Sequence, residues 1–130
     1  MVYSIKPIIK IFDNASSDDS MKILRLYEAK YPHIQVFQNE TNIGGEANFT
    51  KCIQNMEGEY AAIYHADDVY MPTIVEEEVK FLINNLDCNS VSTSGYEIDD
   101  KSIIIGQRFT PLNLEKYAKF NQIELCTKIQ

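Results

Sequence analysis

Short apolar runs alternate along the chain with longer segments in which hydrophobic residues recur every three or four positions. The short runs are typical of buried strands, whereas the longer spacing predicts amphipathic helices. Strands are predicted over residues 8–12, 34–37, 60–64 and 90–94, and helices over residues 18–30, 46–56 and 73–84. Further along, residues 96–98 and 102–105 predict a hairpin, and residues 114–120 predict one more helix.

This order of elements predicts the fold class. Strands that alternate with helices favour an α/β fold with a mostly parallel sheet, right-handed crossovers and helices on both faces. Pro32 ends the first helix, Gly58 ends the second, and Pro72 suits the start of the third. Residues 60–64 are almost entirely apolar, so we expect a central strand there. The hairpin at Asp99-Asp100-Lys101 then forms a C-terminal addition to the sheet.

The amino-acid composition of the chain limits the classes of function that it can have. The 130 residues suit one domain, and 45% hydrophobic residues allow a packed core. A formal net charge of −7 argues against nucleic acid as a partner, because phosphate backbones require clustered Lys and Arg. Three widely spaced cysteines predict reduced thiols in a cytoplasmic protein. No apolar run reaches the roughly 18 residues of a membrane span. Peripheral association with the inner face of the membrane is left open.

Polar clusters follow each of the first three predicted strands. They span residues 13–18, 42–44 and 65–68. Ligands of open α/β sheets bind beyond the carboxyl ends of the strands, so we expect the three clusters to converge on one edge. The alternative is that Asp13 and Ser16 only form a turn and cap a helix, and that Gly44-Gly45 is only a tight loop.

Two adjacent carboxylates, Asp67 and Asp68, follow the third predicted strand. Carboxylate oxygens of this kind suit Mg²⁺ or Mn²⁺, usually with substrate phosphates completing the coordination shell. We therefore predict a metal site that holds a phosphorylated ligand. The alternative is a solvated turn before Pro72.

The ordered set of motifs resembles the family 2 glycosyltransferases, which have the GT-A nucleotide-diphospho-sugar transferase fold. The motifs are Asp13-Asn14-Ala15-Ser16-Ser17-Asp18, then Asn42-Ile43-Gly44 with Asn48, then Gly58-Glu59-Tyr60 leading to His65-Ala66-Asp67-Asp68. The resemblance covers residues 5–106 and leaves residues 107–130 as a tail or helix. It implies a single, partial GT-A-like domain over residues 1–130. It also implies transfer of a sugar from a UDP-, GDP- or dTDP-sugar to an unknown acceptor, with inversion.

The resemblance assigns roles to the third cluster. Asp67 is implied to ligate the Mn²⁺ or Mg²⁺ ion, and Asp68 to support that ion or approach the donor sugar. His65 replaces the first carboxylate of the family's Asp-x-Asp pattern. An imidazole in that place can still hydrogen-bond a ribose hydroxyl or ligate a metal.

The first two clusters are implied to bind the nucleotide-sugar. Asp13 is expected to accept a hydrogen bond from the base or ribose, and Ser16 of the same motif is also expected to bind the nucleotide-sugar. Asn42, Gly44 and Asn48 are expected to line a loop over the ribose and diphosphate.

The chain departs from the family pattern in extent and at Ala15, where the family has glycine. Only seven residues precede Ile8, too few for the family's first strand and helix, and the region that supplies a catalytic general base is absent. We therefore expect a chain truncated at both ends that transfers sugar poorly by itself. The alternative is a non-catalytic module that associates with itself or another chain through an uncovered sheet edge. A dinucleotide-binding domain is disfavoured, because no GxGxxG follows the first strand.

Overall fold

The computed structural model of this chain describes residues 7–108. The elements follow in the order β1 (Ile9–Asp13), α1 (Ser20–Lys30), β2 (Ile34–Gln38), α2 (Gly45–Gln54), α3 (Ile74–Asn84), β3 (Gly95–Ile98) and β4 (Ile104–Arg108). The chain divides after Val69 into two compact units. The first unit contains β1, α1, β2 and α2, and the second contains α3, β3 and β4.

The first unit is built on a parallel pair of strands. β1 pairs with β2 in a register that runs from Ile9 opposite Ile34 to Asp13 opposite Gln38. Parallel strands require a crossover, and α1 supplies it here. On one face the rings of Phe12 and Phe37 stack at 5.0 Å. The α/β class predicted from the sequence is therefore confirmed.

Two side chains of α1 occupy the outer edge of β2. Glu28 Oε1 accepts a hydrogen bond from the Val36 N–H at 2.7 Å, and Arg25 Nη1 donates to the Val36 carbonyl at 3.2 Å. Arg25 and Glu28 are also joined to each other at 2.6 Å. Val36 is only 6% exposed beneath them. Because both backbone groups of Val36 are taken, this part of the edge is closed to another strand.

We expect this contact to make stability pH-dependent. The Val36 N–H, followed by Arg25, lowers the pKa of the Glu28 carboxyl, so the charged form is favoured in the folded chain. Stability from Glu28 is therefore fully present above the carboxyl's unfolded pKa and is lost as the pH falls through its folded value. Between about pH 6 and about pH 3 the melting temperature should fall further in the wild type than in Glu28→Gln. Circular dichroism melts measure this, with Glu40→Gln as an exposed control. Parallel curves for wild type and Glu28→Gln would contradict the expectation.

The second unit contains α3 and the predicted hairpin. β3 and β4 pair in antiparallel fashion, and Arg108 Nε contacts Glu97 Oε1 at 2.5 Å across the pair. Asp99 organises the turn, since its Oδ1 accepts hydrogen bonds from the N–H groups of Lys101 and Ile103 at 2.9 and 2.8 Å. The interpretation of this segment as a hairpin is confirmed, with longer strands than predicted.

Two predicted strands are wrong. Residues 60–64 and 90–94 do not form strands, and the described strands make two separate two-stranded sheets rather than one larger sheet. A strand is stabilised by its ladder with a neighbour, and neither segment has such a neighbour within residues 7–108. The composition of the two segments could not reveal that a neighbouring strand is missing. The helix predicted over residues 114–120 lies outside the described residues.

Many apolar side chains of the first unit remain exposed. Ile8 is 60% exposed, and on α1 Leu26 and Tyr27 are 66% and 52% exposed. Self-association through uncovered surface stays a prediction. Within residues 7–108, no helix combines the length and hydrophobicity needed to cross a bilayer.

Candidate functional site

Asp13 lies at the carboxyl end of β1 and is 7% exposed. Its Oδ2 accepts a hydrogen bond from the Ser16 N–H at 3.1 Å, which closes the turn after the strand. Ser16 therefore contributes its backbone to this turn. The other carboxylate oxygen, Oδ1, accepts no hydrogen bond from the described residues. One carboxylate oxygen of Asp13 therefore stabilises the turn.

Ala15 occupies the middle of this turn in a left-handed conformation, with φ of 60°. An L-residue pays roughly 1–2 kcal/mol for this conformation, whereas glycine adopts it readily. The position therefore favours glycine on backbone grounds, and alanine at this site is more costly than its small size suggests.

Four asparagines form one hydrogen-bonded group, the asparagine network, composed of Asn14, Asn39, Asn42 and Asn48. Asn39 is its hub: it directly follows β2, is 8% exposed, and donates its N–H to the Asp13 carbonyl at 2.9 Å. Its Nδ2 donates to Asn14 Oδ1 at 3.0 Å and to Asn48 Oδ1 at 2.9 Å. Lys51 Nζ donates to Asn39 Oδ1 at 2.6 Å. The network thus connects both strand ends with α2.

The loop that carries Asn42 is fixed from both sides. Asn14 Nδ2 donates to Asn42 Oδ1 at 2.9 Å, while Asn14 Oδ1 accepts the Ile43 N–H at 3.0 Å. The Gly44 N–H also donates to Asn42 Oδ1, at 2.9 Å. The first two polar clusters therefore do converge, as the sequence predicted.

Gly44 allows the loop to enter α2. Its φ of 87° lies in the region that favours glycine, and an added Cβ would meet no atom within 4 Å. The requirement for glycine here is conformational rather than steric. One turn later, Asn48 donates its N–H to the Gly44 carbonyl at 3.1 Å and its Nδ2 to the Phe12 carbonyl at 3.1 Å. Asn48 therefore ties α2 to β1.

The third cluster lies beside α2. The His65 ring stacks on the Phe49 ring with centroids 6.0 Å apart and planes 8° from parallel. Phe49 follows Asn48 directly, so this contact brings the turn that carries Asp67 and Asp68 next to the same helix. Both aspartates are exposed. Within residues 7–108, no hydrogen bond or ion pair joins Asp67 to the asparagine network.

Asp67 and Asp68 limit the kind of metal site that this turn can form. No group of three or more His, Cys, Asp or Glu side chains in the described part of the chain could hold a metal ion. A fully protein-bound cation is therefore not built within residues 7–108. Asp67 and Asp68 as two carboxylate ligands fit Mg²⁺ or Mn²⁺ chemistry, in which ligand phosphates and water commonly complete the shell.

Cys52, which lies on α2, has the features of a structural thiol rather than of a nucleophile. Cys52 and Cys88 are free thiols, and burial raises the pKa of Cys52. A raised pKa disfavours the reactive thiolate. This agrees with the reduced, structural role predicted from the sequence, while Cys126 lies outside the described residues.

Sequence reasoning missed three members of this site as candidate residues: Asn14, Asn39 and Lys51. Asn39 directly follows β2 as Asn14 directly follows β1, so the rule that selects strand ends could have found it. Lys51 lies three residues after Asn48 and therefore on the same face of α2. Its interaction with Asn39 has no signal in the sequence.

Comparison with known proteins identifies the family of this chain. The family model described as glycosyl transferase family 2 matches residues 8–129. The chain belongs to glycosyl transferase family 2.

Named relatives agree with the family assignment. The chain is 33% identical over 116 residues to the uncharacterized glycosyltransferase MJ1057 of Methanocaldococcus jannaschii, covering 89% of this chain and 38% of that protein. It is 32% identical over 100 residues to the putative glycosyltransferase EpsE of Bacillus subtilis, covering 76% of this chain and 36% of that protein. The chain thus spans less than two fifths of the length of these relatives. No solved structure gives a significant match.

Proposed function

We propose that this family 2 chain binds a nucleotide-diphospho-sugar together with a divalent cation. The bound nucleotide-sugar would be the donor in a sugar transfer with inversion. The observation that carries the proposal is the asparagine network. It fixes the ends of both parallel strands and the start of α2 in one place. That is where ligands of open α/β sheets bind.

The nucleotide portion is assigned to the first two clusters. Asp13 would accept a hydrogen bond from the base or ribose through Oδ1, the oxygen not used by the turn. The loop at Asn42 and Gly44, held by Asn48, would lie along the ribose and diphosphate. Ser16 would hold Asp13 in place rather than touch the ligand.

The cation is assigned to Asp67 and Asp68, in the turn beside α2. When bound, Mn²⁺ or Mg²⁺ would neutralise the negative charge that develops as the nucleoside diphosphate departs. His65 would contact the ribose, and its stacking on Phe49 would limit how far that ring can move. The base, the sugar and the acceptor are not specified by these residues.

The experiment is calorimetric titration of the full chain with UDP, GDP and dTDP, each with Mn²⁺ and with excess EDTA. We expect at least one nucleotide to bind with Mn²⁺ and to lose about tenfold or more in affinity with EDTA, because a cation held by Asp67 and Asp68 would neutralise the charge of the diphosphate. AMP with Mn²⁺ serves as the control that lacks a diphosphate. Absence of binding, or binding indifferent to EDTA, would overturn the proposal.

A further inference from the structure

The asparagine network has a defined donor-to-acceptor direction. An ammonium group only donates hydrogen bonds, so the Lys51 contact at 2.6 Å requires that Asn39 present its oxygen to Lys51. The amide nitrogen of Asn39 must then face the other way. It does so, donating to Asn14 Oδ1 and Asn48 Oδ1.

The same direction continues to the exposed end of the network. Asn14 accepts through Oδ1 and donates through Nδ2 to Asn42 Oδ1 at 2.9 Å. Backbone N–H groups confirm this polarity, because Ile43 donates to Asn14 Oδ1 and Gly44 donates to Asn42 Oδ1. The oxygen of Asn42 thus has two donors already. Its Nδ2 donates to no partner within residues 7–108, and Asn42 is exposed.

Lys51 is the first donor in this series of hydrogen bonds, and a water molecule cannot easily take its place. Asn39 is 8% exposed, so its Oδ1 depends on the one donor that the described residues give it. Without that donor, rotating the Asn39 amide by 180° would set its oxygen against two other oxygens, which is repulsive. The unrotated amide would keep a buried acceptor unpaired, so both states cost free energy.

We propose that Lys51 and Asn39 are positioning residues that hold Asn42 with its Nδ2 directed to the ligand. The ligand group at Asn42 is then a hydrogen-bond acceptor, a phosphate or ribose oxygen of the donor. This rests on the proposed function. Lys51 acts through Asn39 and Asn14 and does not itself contact the ligand.

The first test needs no ligand. In ¹⁵N spectra of the free, full-length chain, Lys51→Met should shift or broaden the side-chain amide signals of Asn14 and Asn42, although it removes a group at the opposite end of the network. Lys51→Arg, which keeps a cationic donor, should restore them. Lys80→Met is the matched control on α3 and should leave both signals in place. Unchanged Asn14 and Asn42 signals in Lys51→Met would overturn the proposal.

The second test is a double-mutant cycle with the nucleoside diphosphate and Mn²⁺. Lys51→Met should weaken binding about tenfold, and Lys51→Arg should recover most of that loss. In an Asn42→Ala background, Lys51→Met should cost less than about twofold, because its effect passes through Asn42. Equal losses in both backgrounds would contradict a positioning role. A wild type that binds no nucleotide would remove the proposed function, while the amide signals would still decide the network's direction.

Discussion

Replacing Asp67 by asparagine is expected to lower the affinity of metal-dependent nucleoside diphosphate binding by about 100-fold or more. Replacing a residue that only orients a metal ligand already costs about 10- to 100-fold in affinity, and Asp67 is proposed as a direct ligand. The change keeps the shape of the side chain and removes its charge. Asp67 is exposed, so the fold should be unaffected. Titration calorimetry with and without Mn²⁺ measures the loss.

The matched control is Asp100→Asn, which makes the same chemical change at an exposed position next to the turn residue Asp99. It should bind within about twofold of the wild type, since surface changes away from a site have small effects. Melting curves of both variants should overlay that of the wild type. Equal affinities for Asp67→Asn and Asp100→Asn would remove Asp67 from the metal site.

Asn39→Asp is expected to lower the free energy of unfolding by about 2 to 3 kcal/mol. A carboxylate keeps the contact with Lys51 but cannot donate, so the two hydrogen bonds to Asn14 and Asn48 are lost. Oxygens would then face each other at about 3 Å in a buried site. The new ion pair with Lys51 offsets only part of this cost, since desolvation limits its gain. Urea unfolding followed by circular dichroism measures the difference.

Asn89→Asp makes the same change at an exposed position and should stay within about 0.5 kcal/mol of the wild type. If Asn39→Asp proved as stable as Asn89→Asp, the asparagine network would not hold the strand ends together. A refolding check at low protein concentration separates true destabilisation from aggregation.

Much of this fold could be predicted from local sequence patterns. Turn residues and apolar spacing predicted β1, β2 and the three described helices to within a few residues, because these elements are set by nearby sequence. Residues 60–64 and 90–94 show the limit. Residues 60–64 are almost entirely apolar, and Val91 and Thr93 are β-branched residues that favour strands. Strand pairing nevertheless depends on a neighbouring strand, which short-range sequence does not encode.

The candidate site likewise contains residues that the sequence could indicate and contacts that it could not. Asp13, Asn42, Gly44 and Asn48 could be selected because they follow strands or form a loop, and the structure brings them together. The hydrogen bonds between Asn39, Asn14 and Lys51 depend on distances between elements, so only coordinates reveal them. For Asp67, the sequence indicated a carboxylate suited to a metal ion. The stacking of His65 on Phe49 shows that the turn carrying Asp67 lies beside α2.

In the proposed function, the turn at residues 65–68 and the loop at residues 42–44 bind one metal–nucleotide complex. The most direct measurement is paramagnetic broadening of backbone amide signals in the titration above, with substoichiometric Mn²⁺ and the nucleoside diphosphate that binds. We expect signals from both segments to broaden together, and only when the nucleotide is present. Broadening at one segment alone, or centred on the acidic residues 76–78 of α3, would contradict it.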